Sequence, residues 1–316
     1  METDEVCDRP LETFGVVAPM FLDFFPRLKK PFYYLTFHAA TILFNLNGIL
    51  RRGKHMQLDF DPGFDITPLS VDEGFRLGAD CFDKGTEFRK LDSVRKSLRD
   101  PNCDGPENVY AIMMDVGRKK DLPAMQQRML LYGVVTYAAG QLGDEPIRSQ
   151  GHIHKVSAHC GWSTPEVYEI WTGKAVIYMQ ESGQDAPGRC FAVEAGAGDV
   201  VIVPPGWVHA TISADPKQPL TFGAWCDRDY GFEYADVRRH GGIAWFPLLT
   251  AEDKLRWTPN PAYHTSQLTI KPPRDYSDLG LEKNKSIYRQ FEEDPDRFLF
   301  VSDPARAANI WKNYTP

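Results

Sequence analysis

The sequence lacks several features that would assign it to particular classes of protein. Its 316 residues include six cysteines but no Cys-x-x-Cys pair, and this scattered spacing favours a reducing compartment over a secreted, disulfide-based scaffold. The acidic start METDEVCDRP lacks the charged region and apolar core of a signal peptide. We therefore expect a cytoplasmic protein.

Concentrated positive charge and long apolar runs are also missing. The formal net charge is −7, and no long Lys/Arg run is present, which argues against a nucleic-acid-binding surface. The most apolar window, residues 31–53, is interrupted by His38, Asn45 and Asn47 before it reaches the roughly 20 apolar residues that span a bilayer. Its apolar residues recur at helical spacing, so residues 35–50 are predicted to form an amphipathic helix that packs on the domain or a partner subunit. We expect neither nucleic acid nor a membrane as a partner.

The chain divides into three zones by changes of pattern. Residues 1–55 are predicted to form an N-terminal extension with helical character. Residues 56–250 contain short β-like runs separated by Gly, Pro and Asp clusters, a pattern typical of a sandwich or jelly-roll barrel. Residues 251–316 are rich in Pro and charge and carry two predicted helices, near residues 286–294 and 305–314, as expected for a C-terminal wrapping arm.

The segment SQGHIHK places two histidines one residue apart in a predicted strand. Residues i and i+2 of a strand share one face, about 7 Å apart, so His152 and His154 point the same way. Such a pair alone is more often filler than a metal site. In the next strand, PEVYEIW, alternation places Glu166 and Tyr168 on one face and Glu169 on the other. We assign Glu166 to the inward face.

A third histidine follows a rigid corner. In GDVVIVPPGWVHATIS a strand ends at Val203, residues 204–207 form a tight corner, and His209 opens the next strand. His152, His154, Glu166 and His209 together supply three imidazoles and a carboxylate, a donor set suited to Fe, Mn, Zn, Ni or Cu with positions left open for a ligand. The sequence therefore predicts a metal site.

At these residues the sequence resembles the cupin superfamily, and more specifically the cupin-type (archaeal-class) glucose-6-phosphate isomerases. The quoted motifs GHIHK, PEVYEIWTGKAVIYMQ and GDVVIVPPGWVHATIS carry the similarity, which continues more weakly to about residue 56 and through LTFGAWCDRDYGFEYADV. The resemblance implies a mainly β fold, the cupin double-stranded β-helix (jelly-roll barrel), here with helical N- and C-terminal extensions. It also implies a homodimer, an isomerase of carbohydrate metabolism (glycolysis and gluconeogenesis), and one divalent metal per subunit: Fe, Mn, Zn or Ni.

The resemblance assigns roles to individual residues. His152, His154, Glu166 and His209 fall on the metal ligands, Tyr168 lies beside the metal, and Tyr110 and Tyr234 fall on tyrosines that line the sugar pocket. Ser149 and Gly151 stand where the family binds phosphate. The chain also departs from the family: the loop KVSAHCGWSTP is longer than in the shortest members, Phe232 replaces a pocket histidine, and Cys226 replaces a pocket tyrosine.

An aldose–ketose isomerase moves a hydrogen between C1 and C2 of a sugar, and a divalent metal assists as a Lewis acid. The hydrogen travels either as a proton through a cis-enediol, with Glu166 or Tyr168 as base or relay, or as a hydride. A phosphate on the sugar requires hydroxyl, backbone or cationic donors. The candidates are Tyr110, Thr136, Arg148, Ser149, Gly151 and Lys155.

Three alternatives remain open. For an isomerase, the expected substrate is a sugar phosphate, by default glucose 6-phosphate and fructose 6-phosphate. The first alternative is an isomerase of another sugar in a biosynthetic pathway. A cupin metal dioxygenase would use the same three-His, one-Glu set, although the polar lining favours a sugar. A non-enzymatic sugar-binding cupin is the third alternative, against which the complete donor set weighs. His159, in the inserted loop, is a candidate extra ligand or acid.

Overall fold

Strands make up most of the regular structure, as the alternating pattern predicts. The computed structural model describes residues 57–316, so the predicted N-terminal extension and the predicted helix over residues 35–50 lie outside the described residues. The strands, in chain order, are β1 (Ile66–Pro68), β2 (Phe75–Leu77), β3 (Cys81–Phe82), β4 (Glu87–Lys90), β5 (Asn108–Met114), β6 (Gly117–Arg118), β7 (Leu130–Tyr137), β8 (Gln141–Leu142), β9 (Glu145–Pro146), β10 (Ile153–His154), β11 (Glu166–Thr172), β12 (Ala175–Gln180), β13 (Cys190–Ala195), β14 (Val200–Val203), β15 (Val208–Ser213), β16 (Leu220–Asp227), β17 (Phe232–Glu233), β18 (Trp245–Leu249), β19 (Leu255–Pro259) and β20 (Leu268–Lys271).

Helices are short and lie between strands or in the C-terminal segment. The α-helices are α1 (Leu91–Val94), α2 (Leu122–Gln127), α3 (Ala235–Arg239), α4 (Ile287–Glu293), α5 (Leu299–Ser302) and α6 (Ala308–Trp311), with 3₁₀ turns at Arg95–Ser97, Ser277–Leu279, Pro295–Phe298 and Pro304–Ala307. The helix predicted near residues 286–294 is confirmed as α4, whose N-cap Ser286 accepts a hydrogen bond from the Arg289 backbone N–H at 3.2 Å. Within residues 57–316, no helix combines the length and apolarity that crossing a membrane requires.

Two larger sheets build the centre of the fold. The first has the strand order β14-β11-β16-β7-β5-β4, and the second has the order β15-β12-β13-β20. Neighbouring strands in both are antiparallel, except that β20 runs parallel to β13. This is the double-stranded β-helix of the cupin fold, so the predicted fold class is confirmed.

The inner faces of the two sheets form one apolar core. Leu131 and Val135 of β7 and Ile170 of β11, from the first sheet, pack in the same buried cluster as Ile177 of β12 and Val193 of β13, from the second. Because successive side chains of a strand alternate between faces, the residues between them point outward. Both outer faces must therefore be covered by other parts of the chain.

The C-terminal segment covers the outer face of the first sheet. Tyr132 of β7 and Trp171 of β11 pack there in one cluster with Phe291 of α4 and Phe298. The chain end adds a polar anchor, because the Tyr314 hydroxyl donates to the Ile202 carbonyl at 2.6 Å. A second apolar cluster, which includes Val237 and Ile243, covers the outer face of the second sheet. The helical C-terminal pieces that the sequence predicts are confirmed, whereas the domain boundary at residue 250 stays a prediction.

One ionisable group lies inside the contact between the first sheet and the C-terminal segment. Glu169 of β11 is fully buried and accepts hydrogen bonds from the Ile287 backbone N–H at 2.7 Å and from the Trp171 Nε1–H at 3.0 Å. Burial raises the pKa of Glu169 to about 8, although these two hydrogen bonds act against the rise. The folded protein therefore keeps a proton that the unfolded chain loses near pH 4.5.

This proton makes stability depend on pH. Between about pH 4.5 and 8 the folded state binds more protons at Glu169 than the unfolded state, so this group lowers the free energy of unfolding as pH rises, by at most about 1.4 kcal/mol per pH unit. We predict that Glu169→Gln removes this part of the slope. Urea unfolding of both proteins from pH 5 to 8.5 measures it, with Glu194→Gln, an exposed position on β13, as the matched control. Identical slopes in the wild type and Glu169→Gln would contradict the assignment.

Candidate active site

Three histidines and a glutamate meet between the two sheets. His209 lies in β15 and forms an isolated antiparallel bridge with His152. The His152 backbone N–H donates to the His209 carbonyl at 3.1 Å, and the His209 N–H donates to the His152 carbonyl at 2.9 Å. His154 follows in β10, and Glu166 is the first residue of β11. One donor atom from each of the four lies within 4.8 Å of the others. The structure thus brings the four predicted ligands together.

Hydrogen bonds orient two of the imidazoles. His154 Nδ1 lies 2.8 Å from the Thr164 carbonyl oxygen, and His209 Nδ1 lies 3.2 Å from the Trp207 carbonyl oxygen. Because a carbonyl oxygen only accepts, each Nδ1 carries the hydrogen and donates it. The Nε2 atom of each ring is then left with a lone pair, which is the tautomer that binds a metal.

The Nε2 lone pairs face another acceptor. The Nε2 atoms of His152, His154 and His209 are buried without a hydrogen-bond partner, and Glu166 Oε2 lies 3.2 Å and 3.4 Å from the Nε2 atoms of His154 and His209. Buried acceptors that face one another repel unless a cation lies between them. Three nitrogens and a carboxylate oxygen form a set that fits a divalent transition metal.

The protonation states suit this use. Burial alone would raise the pKa of Glu166, but hydrogen bonds and charge attraction from His154 and His209, when their Nε2 atoms are protonated, outweigh burial and lower it well below its usual value. A cation bound by the unprotonated imidazoles would favour the carboxylate in the same way. Burial, together with the neighbouring His209 and His154, lowers the pKa of His152 well below 6.5. The carboxylate is therefore ionised and the imidazole neutral at pH 7, as metal ligation requires.

Tyr168 and Cys226 contact the glutamate from inside the barrel. The Tyr168 hydroxyl donates to Glu166 Oε2 at 2.8 Å, and the Cys226 thiol lies 3.3 Å from Oε1. Burial raises the pKa of Tyr168 well above 10, so its hydroxyl stays protonated at neutral pH. Tyr168 is thus a hydrogen-bond donor to the carboxylate of Glu166, one of the four predicted metal ligands.

A cavity adjoins two of the four predicted ligands, and several predicted substrate-binding residues line it. Tyr110, Ser149, Tyr168 and Tyr234 lie on its wall together with His152 and Glu166. Phe232, which replaces a family histidine, also lines it and packs its ring against His152 with centroids 4.6 Å apart. The wall therefore combines hydroxyl groups with an apolar cover over the imidazoles.

The structure does not bring four predicted residues to this wall. Thr136 Oγ1 pairs with Thr221 Oγ1 at 3.0 Å on the other face of β7. Lys155 is exposed, with its side chain against Gly231. Gly151 has φ +88°, and a Cβ there would lie 2.8 Å from Ile243 Cγ2. Glycine is therefore needed at position 151 for the turn into His152.

Arg148 is the fourth residue, and its side chain is committed to the protein interior. It is fully buried, and its guanidinium donates to Glu145 Oε1 at 2.7 Å and to the Ser149 and Ser97 carbonyls at 3.0 Å and 2.6 Å. A phosphate would have to break this buried ion pair, at a cost of several kcal/mol. Arg148 therefore holds the loop before His152 rather than facing the cavity.

Sequence reasoning missed other residues of the cavity wall: Arg89, Tyr137, Gln150 and Thr211. Strand alternation places Tyr137 on the face opposite Thr136, but all of β7 is buried, so alternation alone does not tell which face lines the cavity. Arg89 lies in the short strand EFRK, and no local pattern marks it. His159 is exposed in the inserted loop and lies outside the metal cluster.

Comparisons with known proteins agree with this geometry. A model of the family described as "Glucose-6-phosphate isomerase (GPI)" matches residues 97–262. Putative glucose-6-phosphate isomerase 1 of Rhizobium meliloti (strain 1021) is 26% identical over 114 residues, which cover 36% of this chain and 49% of that protein. Glucose-6-phosphate isomerase of Thermococcus litoralis is 30% identical over 102 residues, covering 32% and 48%. This chain thus spans about half the length of the curated relatives it matches.

Among solved structures, a mutant of Bacillus subtilis oxalate decarboxylase OxdC is similar to 48% of this chain and 30% of its own, with 15% identity and a TM-score of 0.30.

The geometry predicts how metal content depends on the ligands. We expect His154→Ala to lower metal affinity by at least the roughly 10- to 100-fold that follows loss of a residue hydrogen-bonded to a metal ligand, because here a buried nitrogen donor itself is lost. Elemental analysis of the purified variant measures it. His159→Ala, at an exposed histidine outside the cluster, is the control and should keep its metal. Stoichiometric metal in a folded His154→Ala protein would refute the ligand assignment.

Proposed function

This chain belongs to the glucose-6-phosphate isomerase family, and we propose that it is a metal-dependent aldose–ketose isomerase acting on a sugar phosphate. Glucose 6-phosphate and fructose 6-phosphate are the default pair. The observation that carries the proposal is the convergence of His152, His154, Glu166 and His209 beside a cavity with tyrosine and serine hydroxyls on its wall. One divalent metal per subunit, Fe, Mn, Zn or Ni, belongs to the proposal.

The four ligands would hold the metal, which would act as a Lewis acid toward the carbonyl and hydroxyl oxygens of an open-chain sugar. The cavity wall orients the substrate, because the hydroxyls of Tyr110, Tyr234 and Ser149 can form hydrogen bonds with the oxygens of a sugar phosphate. Phe232 packs against His152 and keeps water from that side of the site. These contacts position C1 and C2 of the sugar near the glutamate.

Tyr168 is the residue that we propose to move a proton. Its hydroxyl already donates to Glu166 Oε2, so a proton can pass between Tyr168 and the carboxylate without rearrangement. The sugar carbonyl oxygen would take the Tyr168 proton, which then leaves its hydrogen bond to Glu166, and Tyr168 would regain a proton from the sugar hydroxyl that becomes the new carbonyl. The hydrogen that moves between the two carbons travels as a proton or as a hydride.

An isomerase assay tests the proposal directly. We expect the purified, metal-loaded protein to convert fructose 6-phosphate to glucose 6-phosphate. A chelator should abolish this turnover, because it removes the metal that would act as the Lewis acid. Oxygen uptake is followed in parallel, and a panel of other aldoses and ketoses is offered. Oxygen consumption would favour the cupin dioxygenase. No turnover of any sugar by the fully metallated protein would overturn the proposal.

We predict that Tyr168→Phe keeps the metal but slows turnover about 10²- to 10⁴-fold, the usual range for loss of a general acid or base. Steady-state kinetics and elemental analysis measure the two effects separately. Tyr263→Phe, which removes a buried hydroxyl bonded to the Gly242 carbonyl away from the cavity wall, is the control. Turnover of Tyr168→Phe at the wild-type rate would remove Tyr168 from the mechanism.

Deuterium uptake from D₂O distinguishes the two routes for the hydrogen. A proton that passes through a protein group exchanges with solvent, whereas a hydride shift carries the original hydrogen to the product.

The homodimer, the absence of nucleic-acid and membrane partners and the cytoplasmic location stay predictions.

A further inference from the structure

Arg89 is a positive charge on the cavity wall that the mechanism does not use. It belongs to β4, the edge strand of the first sheet, where it pairs in register with Tyr110 of β5. Among the described residues that line the cavity, Arg89 is the sole lysine or arginine, and Glu166 is the sole acid. Glu166 belongs to the predicted metal cluster, so no other acid on the cavity wall neutralises the charge of Arg89.

The surroundings of Arg89 leave its guanidinium available to a ligand. Within residues 57–316 its ion-pair partner is Glu87, at 3.0 Å, and the Glu87 side chain is 58% exposed. Exposed pairs of this kind contribute only about 0–1 kcal/mol, so an anion in the cavity can displace Glu87. This contrasts with Arg148, whose partner Glu145 is buried.

Two tyrosines surround the same charge. The Arg89 guanidinium interacts with the Tyr110 hydroxyl and with Tyr234. Burial raises the pKa of Tyr110 and that of Tyr234, so both hydroxyls remain hydrogen-bond donors at neutral pH. Arg238 adds a second positive charge, because its guanidinium lies 4.8 Å from the centre of the Tyr234 ring.

Tyr234 connects this group to the metal cluster. Its ring centre lies 5.8 Å from that of His152, while its hydroxyl end interacts with Arg89. The cationic group and the metal ligands are therefore on the same cavity wall, on either side of one tyrosine. An extended ligand with an oxygen-rich end and an anionic end matches this arrangement.

We propose that Arg89, with the hydroxyls of Tyr110 and Tyr234, binds the phosphate of the substrate, so that the enzyme is specific for phosphorylated sugars. The inference rests on the proposed isomerase function and assigns the phosphate to a residue outside residues 97–262, which match the family model. A planar guanidinium binds two phosphate oxygens at once, and the two hydroxyls donate to the remaining oxygens. Substrate is thereby held at its phosphate end while C1 and C2 reach the metal cluster.

Kinetics of Arg89→Gln test the assignment. We expect kcat/KM for fructose 6-phosphate to fall about 10- to 100-fold, chiefly through KM, because a charge-assisted bidentate contact is lost. The preference for fructose 6-phosphate over unphosphorylated fructose should fall by a similar factor, and Arg89→Lys should recover part of it. Lys90→Gln removes one positive charge from the next position of β4, where Lys90 pairs with the exposed Glu107, and serves as the matched control.

Binding of inorganic phosphate supplies a readout that does not need turnover. We expect calorimetry on the metal-loaded protein to show phosphate binding that weakens about tenfold or more in Arg89→Gln but not in Lys90→Gln, with unchanged melting temperature. Such binding in a protein that isomerises no sugar would support the anion site and overturn the proposed function. Isomerase activity with an unaltered sugar preference and unaltered phosphate binding in Arg89→Gln would overturn the Arg89 assignment and leave the function standing.

Discussion

Mutual repulsion of buried acceptors at the metal cluster is the constraint on which the site depends. Three imidazole nitrogens and a carboxylate oxygen lie within 4.8 Å of one another, and the carbonyls of Thr164 and Trp207 keep the lone pairs of two of them pointing inward. This arrangement is unfavourable unless a cation is bound. The protein must therefore hold these strands rigidly in place, and the layers around them provide that rigidity.

Strand β11 shows how the layers support the site. Glu166 and Glu169 lie three residues apart and point to opposite faces of the same sheet. Glu166 enters the metal cluster, while Glu169 accepts hydrogen bonds at the start of α4. All seven residues of β11 are buried, because the second sheet covers one face and the C-terminal segment covers the other. Loss of the C-terminal contacts would thus loosen the strand that carries the metal-site carboxylate.

The cavity wall combines groups from two different parts of the chain. The metal cluster and Tyr168 come from the part of the chain that matches the family model, whereas Arg89 comes from a strand that precedes this part. Edge strand β4 reaches the cavity only because it pairs with β5 and brings Arg89 beside Tyr110. Arg89 therefore lies on the cavity wall although the family model does not include its strand.

The sequence by itself determined the parts of the site that depend on short-range geometry. His152 and His154 share a strand face, Glu166 and Tyr168 share another, and the Pro-Gly corner places His209 at the start of a strand. These relations follow from the period of two along a strand, and the resemblance to the cupin-type isomerases added Tyr110, Ser149 and Tyr234, all of which line the cavity.

Only the tertiary structure decided which charged and polar groups face the ligand. Thr136 and Tyr137 are adjacent in β7, yet Thr136 points away from the cavity and Tyr137 lines it. No local pattern in the sequence says which face is inward. Hydrogen bonds to Glu145 and to the Ser97 carbonyl, 51 residues away in the chain, hold the Arg148 guanidinium away from the cavity. Pairing of β4 with β5 places Arg89 on the cavity wall. Such long-range contacts form when the sheets close, and the sequence around each arginine does not encode them.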